Sequence, residues 1–103
     1  MPSGILGQSA PAATTNTTVY TVPSGKVATF NINFVNRGSS SATVRLAIAS
    51  TGTPADSEWI EYDSTVPANG VLERTGIVAQ AAERVVAFAS TANTSINVYG
   101  YEE

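Results

Sequence analysis

The chain has 103 residues and contains neither cysteine nor histidine. The absence of cysteine excludes a disulfide framework and a thiolate zinc site. The absence of histidine removes the usual general base, the serine triad in its common form and the commonest metal ligand. Any enzyme of this sequence has only carboxylates as strong acid and base groups. We therefore expect no catalytic activity, no metal and no cofactor.

Charge is also scarce, because charged residues make up 13% of the chain against roughly 25% in an average soluble protein. The net charge is -3 and the few cations are spread along the chain, so the sequence does not predict a basic stripe that could bind the phosphates of a nucleic acid. We expect no nucleic-acid partner. Serine, threonine and asparagine replace the missing charges, and such a surface suits packing against other proteins, because burying a hydroxyl costs less than burying an ion.

Long apolar runs are missing as well. Nothing approaches the roughly 20 apolar residues that span a bilayer. The N-terminus has neither the cationic start nor the apolar segment of a signal peptide. The sequence therefore predicts a protein that is made in the cytoplasm and has no membrane partner.

The most regular pattern lies between residues 19 and 50. From residue 28 to 34 every second residue is apolar: Ala28, Phe30, Ile32 and Phe34. The pattern resumes after Asn36-Arg37-Gly38 with Ala42, Val44, Leu46 and Ile48. A period of two is typical of strands with one buried face. We expect these two strands to pair as an antiparallel hairpin with their apolar faces on the same side.

Further strands are predicted at 17–22, 58–63, 71–78, 84–89 and 96–101, separated by turns such as Pro67-Ala68-Asn69-Gly70. Seven short strands at roughly ten-residue spacing, without a helical segment, favour an all-β fold: a single antiparallel β-sandwich. The chain is long enough for one domain. We assign residues 17–103 to the sandwich and residues 1–16, which proline and glycine interrupt, to an extended N-terminal arm.

The only large apolar residues of the arm are Ile5 and Leu6. They have two interpretations. Either they pack on the edge of the chain's own core, or they anchor the arm to a neighbouring subunit of an assembly. Under the second interpretation Ile5 and Leu6 are interface residues.

Residues 56–63 hold the densest cluster of carboxylates and aromatic rings. Three interpretations compete. A pair of acids acts on a glycoside beside a stacking ring; the acids hold calcium; or the segment is an edge strand whose acids keep it soluble and whose Trp59 caps the core or meets a partner. We favour the edge strand, because no two acids are fixed at a catalytic separation and the spacing is not that of an EF-hand.

Four arginines, Arg37, Arg45, Arg74 and Arg84, are further interface candidates. Arginine is the cation best suited to a partly buried, bidentate contact with a partner's acid. The alternative for each is an exposed strand residue that is paired within its own sheet.

Five motifs follow one another along the chain: YTVPSGK, the NRG turn, WIEYD, the stretch PANGVLERTG and the closing GYEE. In these motifs and their order the chain resembles a group of small virion structural proteins of tailed phages, notably phages of cyanobacteria. The matching residues lie mostly in turns and strands: Pro23, Gly25, Arg37, Gly38, Glu61, Tyr62, Pro67, Asn69, Gly70, Glu73 and Arg74.

The resemblance implies a virion location, with copies of the same chain and the phage major capsid protein or tail proteins as partners. We expect a capsid decoration (cement) protein, a trimer or other homo-oligomer, that stabilises the shell through symmetric contacts. The first alternative is a tail, baseplate or fibre component. The second is a carbohydrate-binding module for host attachment, in which Trp59, Tyr62, Tyr99 and Tyr101 form a stacking platform.

Overall fold

A computed structural model describes residues 3–103. It contains eight strands and one short 3₁₀ turn: β1 (Ser3–Ser9), β2 (Thr17–Thr21), β3 (Val27–Asn36), β4 (Ala42–Ala49), the turn Asp56–Glu58, β5 (Trp59–Val66), β6 (Val71–Gln80), β7 (Arg84–Ala89) and β8 (Thr94–Glu102). The predicted all-β class is confirmed. Residues 3–103 form no helix long and apolar enough to cross a membrane.

The strands form two antiparallel four-stranded sheets. The first sheet has the order β1-β8-β3-β6 and the second has the order β2-β7-β4-β5. Their inner faces enclose one core, whose largest fully buried side chains are Phe30, Phe34, Ile32, Leu46 and Ile96. The predicted β-sandwich is therefore confirmed, with eight strands where about seven were expected.

The predicted hairpin between residues 28–34 and 42–48 is wrong. β3 pairs with β6 and β8 in the first sheet, while β4 pairs with β5 and β7 in the second. The two strands face each other across the core and are not neighbours in one sheet. Alternation shows which side of a strand is buried, but two strands on opposite walls of a core produce the same pattern as two neighbours.

The crossing between the sheets is held by Asn36, whose side chain is 1% exposed. Its amide nitrogen donates to the carbonyls of Ser40 at 2.8 Å and Val66 at 3.1 Å, and its oxygen accepts from the Gly38 amide at 2.9 Å. One buried side chain thus ties the end of β3 to the crossing loop and to the end of β5. Because these groups find partners inside the protein, the buried amide is not left unsatisfied.

The strand that the sequence did not predict is β1, which lies within the segment that the sequence assigns to an extended arm. It pairs with β8 from Ser3 to Ser9. Leu6 packs against the core, whereas Ile5 is 58% exposed on the outside. At Gly7 the strand lies so close to β2 that a Cβ atom would be 2.4 Å from the Val19 carbonyl oxygen. β1 and β2 thus close one side of the sandwich.

Candidate functional site

The outer face of the first sheet is a regular array in which side chains stand in rows across the strands. Residues of β8 and β3 that lie opposite each other on this face include Tyr101 and Thr29, Tyr99 and Asn31, and Asn97 and Asn33. The rows continue onto the edge strands, with Ser3, Ile5 and Gln8 on β1 and Val78, Glu73 and Val71 on β6.

Amides form a ladder across this face. Gln8 Nε2 donates to Asn97 Oδ1 at 2.8 Å, and Asn97 Nδ2 donates to Asn33 Oδ1 at 2.9 Å. Nearby, Asn31 Oδ1 accepts from the Gly76 amide at 3.0 Å. Such cross-strand bonds hold the polar side chains in one arrangement, so little side-chain entropy remains to be lost if a partner covers them.

Glu73 is the only charged side chain on the outward strand positions of this sheet within residues 3–103. Its carboxylate accepts a hydrogen bond from the Tyr99 hydroxyl. That bond raises the pKa of the tyrosine, which keeps the phenol protonated and donating. The face therefore presents one carboxylate that already has a donor.

Exposed apolar side chains surround the polar rows. Val78 is 63% exposed, and Ile5, Val71, Val27 and Tyr101 are also exposed. Single exposed apolar residues scattered over a surface are ordinary, but all five of these residues lie on strands of the first sheet. The first sheet thus presents an outer surface of apolar and amide groups with almost no charge.

The outer face of the second sheet carries a different arrangement, centred on a bulge in β5. Leu46 of β4 is opposite Glu61, and Val44 is opposite Ser64, so that Tyr62 and Asp63 are both placed opposite Arg45. Asp63 adopts a left-handed backbone conformation with φ of 54°. A bulge of this kind re-aims side chains, and here it brings two successive residues to the same arginine.

Arg45 is held on several sides. Its Nε lies 2.7 Å from Asp63 Oδ1, and its guanidinium carbon lies 4.1 Å from the Tyr62 ring centre and 4.4 Å from that of Phe88. The hydrogen bond to Asp63 raises the pKa of the guanidinium above its already high value. The arginine is therefore a charged support for the ring of Tyr62.

Beside this cluster lies a shallow hollow of about 290 Å³ lined by Asp56, Trp59 and Tyr62. The two rings meet edge to face, with centres 5.4 Å apart and planes at 74°. Trp59 packs on the small side chains of Ala47 and Ala49, and on Val86. The ring thus covers a second, smaller apolar cluster on the outer face, and does not cap the main core.

The loop before β5 is fixed by Glu58. Its carboxylate accepts hydrogen bonds from the Ala55 amide at 2.7 Å and the Ser50 amide at 3.1 Å. These bonds, chiefly the one from Ala55, lower the pKa of Glu58, so it remains ionised and bonded at neutral pH. The loop therefore presents Asp56 to the hollow in a defined position.

The predicted platform of four aromatic residues is not present. Trp59 and Tyr62 lie on the outer face of the second sheet, whereas Tyr99 and Tyr101 lie on the outer face of the first. The sandwich separates the two pairs. Only Trp59 and Tyr62 come together, and the residues that complete their surroundings are Asp56 and Arg45.

The four candidate arginines have different surroundings in the structure. Arg45 pairs with Asp63 of the neighbouring strand, and Arg74 Nη1 lies 2.9 Å from Glu61 Oε2, bridging the edge strands β6 and β5 of the two sheets. Arg37 donates to the Ala92 carbonyl at 3.3 Å. Arg84 lies on the outer face of the second sheet, and its Nε is buried without a hydrogen-bond partner within residues 3–103.

The acids of the 56–63 segment do not converge. Glu58 binds the loop backbone, Glu61 binds Arg74, Asp63 binds Arg45, and Asp56 lines the hollow. Within the described residues, no group of three or more acids is arranged to hold a metal ion. Each acid thus has its own neighbour, and the sequence cluster is not a cluster in space.

Sequence reasoning missed the outer face of the first sheet as a surface. The sequence pattern assigns Ile5 and Gln8 to an arm, and it gives no reason to group them with Val78 and Asn97 of the predicted strands. The signal was present, because polar residues alternate with the buried ones in β3 and β8. Their assembly into one face depends on strand order, which alternation does not reveal.

Comparison of the chain with protein-family models, with curated proteins and with solved structures finds no match.

Proposed function

We propose that this chain is a structural protein of a tailed-phage virion, and specifically a capsid decoration protein that works by packing against neighbouring proteins. The observation that carries the proposal is the outer face of the first sheet, where apolar groups surround a fixed amide ladder and the single carboxylate already has a donor. The phage assignment rests on the sequence resemblance, and the surface supplies a way to perform that role.

The size of this face suits a specific contact. Four strands at about 4.8 Å spacing are about 19 Å wide, and the nine residues of β8 extend about 30 Å, which gives about 570 Å² before side-chain relief is counted. A standard interface buries about 800 Å² on each partner. One face of the first sheet therefore approaches the area that a stable partner needs.

The chemistry of the face also favours a protein over water. Covering the apolar side chains removes apolar surface from water, at about 25 cal/mol per Å². Covering the amides costs little where their hydrogen bonds remain formed. Because the outward strand positions of this sheet within residues 3–103 carry one charged group, Glu73, and it is bonded to Tyr99, the desolvation of charge is a small opposing term. A decoration protein adds this free energy only to the assembled shell.

The test uses virions stripped of this protein and then incubated with purified protein. Val78→Glu puts a charge into the outer face of the first sheet at a position that is 63% exposed, so the fold is preserved. Thr65→Glu is the matched control, because it places the same charge at an exposed position on the edge strand of the second sheet. We expect wild type and Thr65→Glu to rebind and to raise the temperature of genome release, and Val78→Glu to rebind at least tenfold more weakly.

Unchanged shell melting and genome release after stripping would exclude the decoration role. Equal binding of the two glutamate variants would exclude the first sheet as the contact surface. A place on the tail, baseplate or fibre is the alternative within the same class of virion proteins, and locating the copies in a particle reconstruction, on the shell or below the portal, separates it from the shell position.

A further inference from the structure

We infer that the hollow formed by Asp56, Trp59 and Tyr62 is a binding site for a neutral sugar ring of a glycan. The hollow lies on the outer face of the second sheet, on the opposite side of the sandwich from the proposed packing surface. It is therefore left open when the first sheet is covered. Its volume of about 290 Å³ lies just below the range of about 300–1,000 Å³ that is typical of small-molecule sites, so we expect a ligand as small as a single sugar ring.

The lining has the two kinds of group that a pyranose needs. The rings of Trp59 and Tyr62 offer apolar area to the C–H face of a sugar, and their edge-to-face arrangement makes a corner between planes at 74°. Asp56 contributes a carboxylate, which accepts hydrogen bonds from sugar hydroxyls and cannot donate when ionised. An anionic ligand is disfavoured beside this acid.

The site is held in shape before any ligand arrives. Tyr62 is 57% exposed, yet its ring is fixed by the guanidinium of Arg45, which is in turn held by Asp63 and lies over Phe88. Trp59 is supported by the alanines beneath it. A fixed aromatic surface loses little conformational entropy on binding, which matters most for weakly bound ligands such as single sugars.

A neutral ligand fits better than an organic cation. Aromatic rings beside an acid also suit quaternary ammonium groups. Here, however, the Tyr62 ring already has a cation 4.1 Å from its centre. A second cation on this ring would be repelled by Arg45, while an uncharged sugar would not.

The chain has one tryptophan, so its indole reports on the site without ambiguity. The experiment is a titration of the isolated ¹⁵N-labelled protein with methyl glycosides of glucose, galactose, mannose and N-acetylglucosamine and with their disaccharides, followed at the Trp59 indole resonance. We expect saturable shifts with at least one neutral glycoside, at millimolar affinity. Tyr62→Ala and Asp56→Asn should each weaken binding about tenfold.

Tyr101→Ala is the matched control, because it removes an exposed tyrosine from the other sheet and should leave the affinity unchanged. No shift of the indole with any member of the panel would overturn the inference. So would equal weakening by Tyr101→Ala, or tighter binding of choline than of every glycoside. Tyr62 is exposed, so its variant keeps the fold. The titration needs no particle, so its outcome is independent of the decoration role.

Discussion

The close approach of β1 to β2 gives a sharp prediction, the effect of Gly7→Ala. An added Cβ would lie 2.4 Å from the Val19 carbonyl oxygen and 3.2 Å from Cβ of Tyr20. Contacts of Cβ below 3.0 Å essentially do not occur, so the two backbones must separate by at least 0.6 Å at this point. Neither contacting group is the flexible end of a side chain, so the separation must come from the strands themselves.

The expected cost is about 2 kcal/mol, the middle of the range for inserting a methyl group into a tightly packed site. If β1 detaches instead, the burial of Leu6 is lost, which is worth about the same amount. For a domain near 100 residues, 2 kcal/mol corresponds to a decrease in Tm of about 8–16 °C. This decrease in Tm can be measured by thermal unfolding of Gly7→Ala and wild type, monitored by circular dichroism.

Gly52→Ala is the control, because it is the same substitution at a position where the nearest contacts of the new Cβ are 3.7 Å and 3.8 Å. It should leave Tm unchanged or raise it slightly, since alanine restricts the unfolded chain. If Gly7→Ala melts within about 2 °C of Gly52→Ala, well inside the effect expected above, then β1 does not lie against β2 and residues 3–9 are not part of the sandwich.

Three further predictions concern groups inside or between the sheets. Asn36→Ala leaves the hydrogen-bonding groups of the crossing loop unpaired and should lower the free energy of unfolding by about 2–3 kcal/mol in urea titrations; a loss below about 0.5 kcal/mol would refute the role of this buried amide. Burial, and secondly the hydrogen bond to Glu102, raises the pKa of Tyr20 above its ordinary value of 10. The contribution of this tyrosine to the free energy of unfolding is therefore complete below pH 10 and is lost as the pH rises further, because the tyrosine of the unfolded chain ionises first. Tyr20→Phe should remove this part of the alkaline destabilisation, and an identical pH profile for the variant would contradict it. A double-mutant cycle with Arg74→Gln and Glu61→Gln should give a coupling of about 0–1 kcal/mol that falls with salt, since the arginine is 46% exposed; a larger or salt-independent value would mean that the bridge is not solvent-screened.

The sequence predicted the class of fold, because alternation in residues 28–34 and 42–48 indicates which side chains face the main core, although Ala47 and Ala49 on the other side of β4 are also buried, beneath Trp59. Phe30, Ile32, Phe34, Val44 and Leu46 are all in the core. It did not predict the partners of these strands, because both sheets bury one face in the same core and produce the same pattern. Pairing depends on contacts between residues far apart in the chain.

The arrangement of the hollow could not be predicted from the sequence either, because it depends on irregularities of single residues in β5. Strict alternation places Trp59 and Tyr62 on opposite sides of β5, yet they meet on one face. The register against β4 shifts between the two rings, because Leu46 is opposite Glu61 whereas the next residue, Ala47, is opposite Trp59. A second shift places both Tyr62 and Asp63 opposite Arg45, and Asp63 there has a φ of 54°. A non-glycine residue in this conformation is uncommon, and nothing in the local sequence requires it. Arg45, four residues into β4, completes the cluster only because β4 and β5 are neighbours.

Hydroxyl-radical footprinting of the chain in intact virions and in solution, read out by mass spectrometry, tests the central proposal most directly. If the protein is packed on the particle through its first sheet, Tyr99 and Tyr101 should lose most of their reactivity in the virion, while Trp59 and Tyr62 keep theirs. Equal reactivity of all four residues in both states, or the absence of the chain from purified virions, would contradict the account.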